Sequence, residues 1–280
     1  MLISRRARYK FRRNPLSVAG LVLVATIVLL ACLAPLVAPY PGHAGPFVDF
    51  VNANRPPDAT YWLGTDNIGR DLLSRIIYGY RISLVLGIVV LSIATPVGVV
   101  LGLIAGYFGG WLEYVIMRVT DVFLAVPPLV LALAIMGMME PSLINGMIAV
   151  SAMWWPWYAR LAYSMARSES REDYVTAARV IGAGPVRILI GQILPNCLPT
   201  IFTKVTLDLG FVIMIAASLS FLGLGVQPPT PDLGSMVANG AQYLPDSWWV
   251  VVFPALAILL AVLGFNLLGD GLREAMDQRP

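Results

Sequence analysis

Residues 172–196 read EDYVTAARVIGAGPVRILIGQILPN, a polar, helix-prone segment between two long apolar runs. Ser170, followed three residues later by Asp173, fits a capping box at the start of a helix. Gly182 predicts the end of that helix, and Pro185 can begin a second short one. The sequence therefore predicts an arm of two helices joined by a Gly-Ala-Gly bend, which a soluble protein can grip.

The first helix of this arm is predicted to carry Tyr174, Ala178 and Ile181 on one face. The surrounding loop is rich in arginine: Arg160, Arg167, Arg171, Arg179 and Arg187. Loops rich in Lys and Arg usually face the cytoplasm. We therefore expect residues 163–196 to form a cytoplasmic loop.

The overall composition is that of an integral membrane protein. Of the 280 residues, 58% are hydrophobic and only 12% are charged, which departs far from a soluble globular domain. Apolar runs of about 20 residues, the length that crosses a bilayer, occur at 18–38, 83–105, 122–139, 143–162, 198–222 and 249–268. The sequence thus predicts an all-α membrane protein with six transmembrane helices. The first run is longer than a usual signal peptide core and is expected to remain as an anchor.

Basic residues also predict the orientation. Residues 1–17 are expected to form a cytoplasmic, basic amphipathic segment on anionic lipid headgroups, followed by a transmembrane domain at 18–280. Its basic residues are Arg5, Arg6, Arg8, Lys10, Arg12 and Arg13. Both termini are then cytoplasmic, with external loops at 39–81 and 223–247. The net charge of +3 reflects this topology, and we expect no nucleic-acid partner because the basic residues do not cluster on a soluble face.

Lys204 and Asp208 are charged residues four apart on one face of a predicted span. Two interpretations stay open. The pair can neutralise itself for structural reasons, or it can line a transport pathway, because charges inside a membrane often serve function.

Other residues inside and beside the spans predict packing. Gly98, Gly102 and Gly106 form a ladder of small residues that favours a helix contact, which can involve a partner subunit. Belts at the two membrane interfaces are predicted from Trp154, Trp155, Trp157 and Tyr158 on one side and Trp248 and Trp249 on the other. We expect His43 to be a solvated loop residue, and we interpret Cys32 and Cys197 as packing residues without a disulfide.

Catalytic motifs are missing from the sequence. It contains no G-x-x-x-x-G-K-[ST] phosphate loop, no nucleophile elbow and no zinc-type His pair. The sequence therefore predicts no catalytic, cofactor or metal site in this chain. Two rival classes remain: a secondary transporter, which needs paired ionisable residues near the midplane, and an intramembrane enzyme, which needs a polar catalytic cluster.

The arm resembles the EAA loop of ABC importer permeases, which inserts a short helix into an ATPase subunit. The matching residues are Ala177, Ala178, Gly182, Leu194 and Pro195. Thr176 stands where that motif has its Glu, and Gln192 where an Ile is usual. The resemblance assigns ATPase coupling to Asp173, Tyr174, Ala177, Ala178, Arg179, Gly182 and Pro195.

Further stretches resemble permeases of dipeptide, oligopeptide and nickel importers. They are RRNPLSVAGL at 12–21, LGTDNIGRDLLSRIIYGYRISL at 63–84, SFLGLGVQPPTPDLGSMVANG at 220–240 and FNLLGDGLREAM at 265–276. Together with the arm they extend over nearly the whole chain. The chain is thereby identified as similar to the C-type membrane subunit of such a system, with a type I importer fold.

This resemblance implies a set of partners. They are a homologous permease subunit that completes a heterodimer, two ABC ATPase subunits that hold ATP and Mg²⁺, and an external substrate-binding protein that delivers the solute. The substrate stays open between dipeptides, oligopeptides, glutathione, opines and nickel complexes.

Overall fold

A computed structural model describes residues 5–276. Its α-helices are α1 Arg5–Arg13, α2 Pro15–Cys32, α3 Ala34–Val37, α4 Leu72–Phe108, α5 Gly110–Ala125, α6 Pro128–Met136, α7 Leu143–Glu169, α8 Asp173–Val180, α9 Pro185–Ile188, α10 Leu194–Phe221, α11 Leu233–Ala241 and α12 Trp249–Met276. Apart from an isolated bridge between Thr65 and Asp71, regular structure in this range is helical. The all-α prediction is confirmed, although residues 1–4 of the predicted N-terminal segment lie outside the described range.

Four stretches are long and apolar enough to cross a membrane: Pro15–Cys32, Leu72–Phe108, Pro185–Phe221 and Trp249–Met276. The bent pair formed by α5 and α6 brings the number to five if it counts as one span. Helix α7, at 27 residues, is also long enough, but the aromatic and polar residues in its middle make it less apolar. The described residues therefore do not contain six continuous apolar spans.

The predicted third span, 122–139, is broken in the structure. Helices α5 and α6 meet at an angle of 91°. Val126 and Pro127 between them adopt extended backbone, with ψ of 132° and 133°. A residue that precedes proline is pushed out of the helical region, and here Val126 and Pro127 each precede one. Pro127 and Pro128 predict an interruption within this span, and in the structure the interruption divides the span into two separate helices.

Helix α4 begins at Leu72, well before the span predicted at 83–105. The carboxylate of Asp71 caps it by accepting a hydrogen bond from the Ser74 amide at 2.8 Å. Arg75, in the first turn, is 3% exposed and its Nε lies 3.7 Å from the Asp66 carboxylate. Helix α4 therefore extends into the segment 39–81 that is predicted to lie outside the membrane, and Asp66 offsets the burial of Arg75.

His43 lies inside the folded loop that precedes α4, so the prediction of a solvated residue was wrong. It is 8% exposed and its ring stacks on Phe47 at a centroid distance of 3.9 Å. Its Nδ1 accepts a hydrogen bond from the Asp71 amide at 2.9 Å. Burial lowers the pKa of His43, although Asp71 and other nearby carboxylates act in the opposite direction. His43 thus packs in its neutral form against the start of α4.

The glycine ladder joins α4 to α7 of the same chain. Added methyl groups at Gly98, Gly102 and Gly106 would lie 2.3, 2.3 and 2.7 Å from the carbonyl oxygens of Trp155, Ala159 and Tyr163. The predicted helix contact is confirmed, but these faces meet within the chain, so the ladder is not available to a partner subunit. Because these three glycines have no side chains, the backbones of α4 and α7 can approach closely.

The predicted aromatic belts are partly wrong. Trp154 and Tyr158 are 7% and 0% exposed and belong to the helix core, whereas Trp157 is 43% exposed. On the other side Trp248 is 48% exposed but Trp249 is buried. The structure shows Cys32 and Cys197 as free thiols, Cys32 exposed and Cys197 buried.

Candidate functional site

The arm begins differently from the prediction. Ser170 ends α7, and its hydroxyl donates to the Ala166 carbonyl at 2.5 Å. Glu172 precedes α8 and makes no side-chain cap. The capping box of Ser170 and Asp173 was therefore wrong, because α7 continues to Glu169 and uses Ser170 to satisfy its own last turn.

The end of α8 is as predicted. Gly182 has a φ of 81°, a conformation that favours glycine. Its amide donates to the Arg179 carbonyl at 3.0 Å, and the Ala183 amide donates to the Ala178 carbonyl at 3.0 Å. This pair of bonds is a Schellman motif. Helix α9 then begins at Pro185, so the two-helix arm is present.

Tyr174, Ala178 and Ile181, which are predicted to share one face of the arm, lie on two different faces in the structure. Val175 and Ala178 are buried, at 0% and 8% exposure, and Tyr174 is partly buried. Ile181, by contrast, points away from the chain. The large exposed apolar side chains on this side are Val180, Ile181, Val186 and Ile190, with exposures of 83%, 83%, 67% and 63%. The arm therefore has an inner face that packs and an outer apolar face.

The remaining residues assigned by the resemblance lie on the surface. Asp173, Ala177, Arg179, Gly182 and Pro195 are all exposed. The Arg179 guanidinium lies 5.1 Å from the centre of the Tyr107 ring at the end of α4, a cation–π distance. A groove of about 620 Å³ opens beside the arm and is lined by Gly184, Pro185, Val186, Arg187, Ile190 and Gly191.

Tyr174 fastens the base of the arm. Its hydroxyl contacts the carboxylate of Glu169, the last residue of α7. The side-chain amide of Asn196, near the start of α10, donates to the same hydroxyl at 3.0 Å. Burial, and then Glu169, raise the pKa of Tyr174, which keeps the phenol protonated. One side chain therefore links the helices that enter and leave the arm.

The predicted pair of Lys204 and Asp208 is present. The Lys204 ammonium lies 2.5 Å from Oδ1 of Asp208. Asp208 is 1% exposed, and its Oδ2 accepts a hydrogen bond from the indole of Trp154 at 3.0 Å. Sequence analysis missed Trp154, because its role depends on how α7 packs against α10, which no spacing along the chain reveals.

An open cavity of about 380 Å³ lies between α4 and α10. Its walls are mostly apolar, with Ser92 and Thr95 among the lining residues. Of the residues that the structure describes, no group of three His, Cys, Asp or Glu side chains is placed to hold a metal ion.

Comparison with known proteins identifies the family. Residues 98–280 match the family described as binding-protein-dependent transport system inner membrane component. Residues 3–57 match the N-terminal transmembrane domain of oligopeptide transport permease C. This chain is a permease of the dipeptide and oligopeptide ABC importer family. The permease is thus a multi-pass inner-membrane subunit of an ABC importer, a class that works with ATPases and substrate-binding proteins.

Curated relatives extend over almost all of the permease. The dipeptide transport system permease protein DppC of Escherichia coli K12 is 45% identical over 276 residues, covering 96% of this chain and 91% of the relative. The di/tripeptide transport system permease protein DppC of Pseudomonas aeruginosa is 44% identical over 275 residues, covering 96% and 90%. The glutathione transport system permease protein GsiD of Pectobacterium atrosepticum is 39% identical over 270 residues, covering 96% and 89%.

A solved structure supports the fold. The permease is similar to a chain of the inward-facing MetNI methionine ABC transporter, with a TM-score of 0.55. The sequences are 20% identical, and the match covers 70% of the permease and 91% of that chain. At this identity the likeness shows the fold alone, which is that of a type I importer.

Proposed function

We propose that the permease forms half of a translocation pathway for short peptides. A homologous permease completes the pathway as a heterodimer, and an external binding protein delivers the substrate. Support for the substrate class comes from relatives named for dipeptides, di/tripeptides and glutathione, which are all short peptides.

The arm of α8 and α9 is the proposed coupling element. The observation that carries this is its outer face: Val180 and Ile181 are each 83% exposed on a segment whose inner face is packed. Exposed apolar patches on an ordered surface mark interaction sites. A cleft on an ATPase subunit is the proposed receptor, and two such subunits hold ATP and Mg²⁺ while this chain carries no cofactor.

The membrane topology belongs to the same proposal. Six crossings result if the bent pair α5–α6 is one crossing and α7 is another. The basic N-terminal segment, the arm and the C-terminus then lie in the cytoplasm. The folded loop before α4 and the segment around α11 face outward, toward the binding protein.

Reconstitution tests this function. Liposomes that contain both permeases and the ATPases should take up a labelled dipeptide only with its binding protein outside and ATP inside. Liposomes with this permease alone should show neither uptake nor ATP hydrolysis. Uptake by the permease alone, driven by a proton or sodium gradient, would favour a secondary transporter instead.

A further inference from the structure

Two side-chain links join the helices that flank the arm. At its base Tyr174 contacts both Glu169 of α7 and Asn196 of α10. Roughly four helical turns away from the arm on either helix, the Trp154 indole donates to the Asp208 carboxylate at 3.0 Å. The arm and its two supporting helices thus form a loop that is closed at both ends.

The hydrogen bond between Trp154 and Asp208 is strengthened by its surroundings. Asp208 and Trp154 are 1% and 7% exposed, so water does not compete for the bond. A hydrogen bond to an ionised acceptor is stronger than one between neutral groups. Lys204 occupies the other carboxylate oxygen at 2.5 Å and thereby holds Asp208 in this orientation.

The chain segment between the arm and α10 explains why the bond between Trp154 and Asp208 matters. Residues Leu189–Ile193 form a π-helical turn, a local irregularity at which helices often kink. A displacement of the arm therefore reaches α10 through this turn and through the Asn196–Tyr174 hydrogen bond at the base of the arm, whereas only residues 170–172 separate α8 from the end of α7. Without a cross-link higher up, α7 could move while α10 stayed behind.

We infer that Trp154 and Asp208 are positioning residues that make α7 and α10 move as one body when the arm moves. Through the glycine ladder α7 carries α4 with it, and α4 and α10 are the two walls of the cavity of about 380 Å³. This inference rests on the proposed coupling function of the arm.

The test is the number of ATP molecules hydrolysed per peptide taken up by the complete reconstituted importer. Trp154→Phe removes the indole N–H, and we expect this ratio to rise roughly tenfold, because a bond to a buried charge is lost. Replacing Trp154 with β-(3-benzothienyl)alanine puts sulfur where the N–H stands and keeps the shape. It should raise the ratio as much.

Trp157→Phe is the matched control, because Trp157 lies on the same helix and is 43% exposed. Its ratio should equal that of the wild type. An unchanged ratio in both Trp154 variants would overturn the inference, and so would loss of assembly in both, which would assign the bond to folding. An arm variant, Ile181→Glu, separates the two proposals: if it too leaves ATPase association and the ratio unchanged, the coupling function itself fails.

Discussion

Gly102 lies so close to Ala159 that a methyl group on its α-carbon would sit 2.3 Å from the Ala159 carbonyl oxygen. Gly102→Ala should therefore force α4 and α7 apart and destabilise the permease by about 1–3 kcal/mol, the usual cost of overpacking. Gly87→Ala on the same helix is the control, because its methyl group would make ordinary contacts with the Leu209 and Ile213 side chains, at 3.5 and 3.7 Å. Thermal unfolding of the purified importer measures both, and equal midpoints for the two variants would contradict this packing.

The contacts among Lys204, Asp208 and Trp154 predict a graded series of effects on assembly. Asp208→Asn should reduce assembly, because Lys204 loses its counter-charge at a poorly solvated site. The double variant Lys204→Met with Asp208→Leu should recover only part of the loss, since the buried Trp154 N–H would lack an acceptor at a cost of about 1–3 kcal/mol. Adding Trp154→Phe should recover more.

The amount of assembled importer per total permease checks this series. Normal assembly of the double variant, together with a selectively altered substrate range, would contradict the structural interpretation. It would place Lys204 and Asp208 in the transport pathway.

His43 predicts that the loop before α4 is sensitive to acid. Because burial lowers its pKa, the folded loop binds fewer protons than the unfolded loop, so its stability rises with pH across this window. Stability should then fall as the pH drops below the ordinary histidine value of about 6.5 toward the lowered folded value. His43→Asn keeps an acceptor for the Asp71 amide but cannot titrate, and should remove this dependence.

The measurement is the hydrogen-exchange rate of residues 39–71. At each pH it is expressed as the rate in the wild type divided by the rate in His43→Asn. The ratio should increase on acidification. A ratio that stays constant between pH 7 and roughly 5 would show that protonation of His43 does not control the loop.

The proposed topology predicts the behaviour of reporters. A fluorescent protein that matures only in the cytoplasm should be active when fused after residue 280. An externally active phosphatase should work when inserted at the exposed residues 56–57 and fail at the C-terminus. Phosphatase activity at the C-terminus would contradict an even number of crossings.

Much of this architecture follows from local patterns. Gly182 and Pro185 act on their own neighbours, so the end of α8 and the start of α9 were predicted correctly. The pairing of Lys204 with Asp208 follows from helical spacing alone. Pro127 and Pro128 likewise predict an interruption of the third span, but its angle of 91° does not follow from the sequence, because hydropathy averages over a window and conceals local backbone preferences.

Relationships between distant residues were beyond the sequence. Trp154 looked like an interfacial residue until α7 packed against α10, and His43 looked solvated until its loop folded onto Asp71. The outer position of Ile181 depends on which side of α8 meets α4 and α10. In each case the decisive neighbour is remote along the chain.

The most direct test of the account is co-purification of the ATPase subunits with arm variants, alongside ATP-driven peptide uptake. Ile181→Glu places a charge on the 83% exposed outer face, and Gly182→Val puts a β-branched side chain at a φ of 81°, where it is strained. Gly42→Ala is the control, since Gly42 lies outside the arm and a methyl group there meets no atom within 4 Å. We predict loss of ATPase association and uptake in the first two variants, with normal permease levels, and wild-type behaviour in the control. Normal association and uptake in Ile181→Glu and Gly182→Val would contradict the claim that this arm couples ATP hydrolysis to transport.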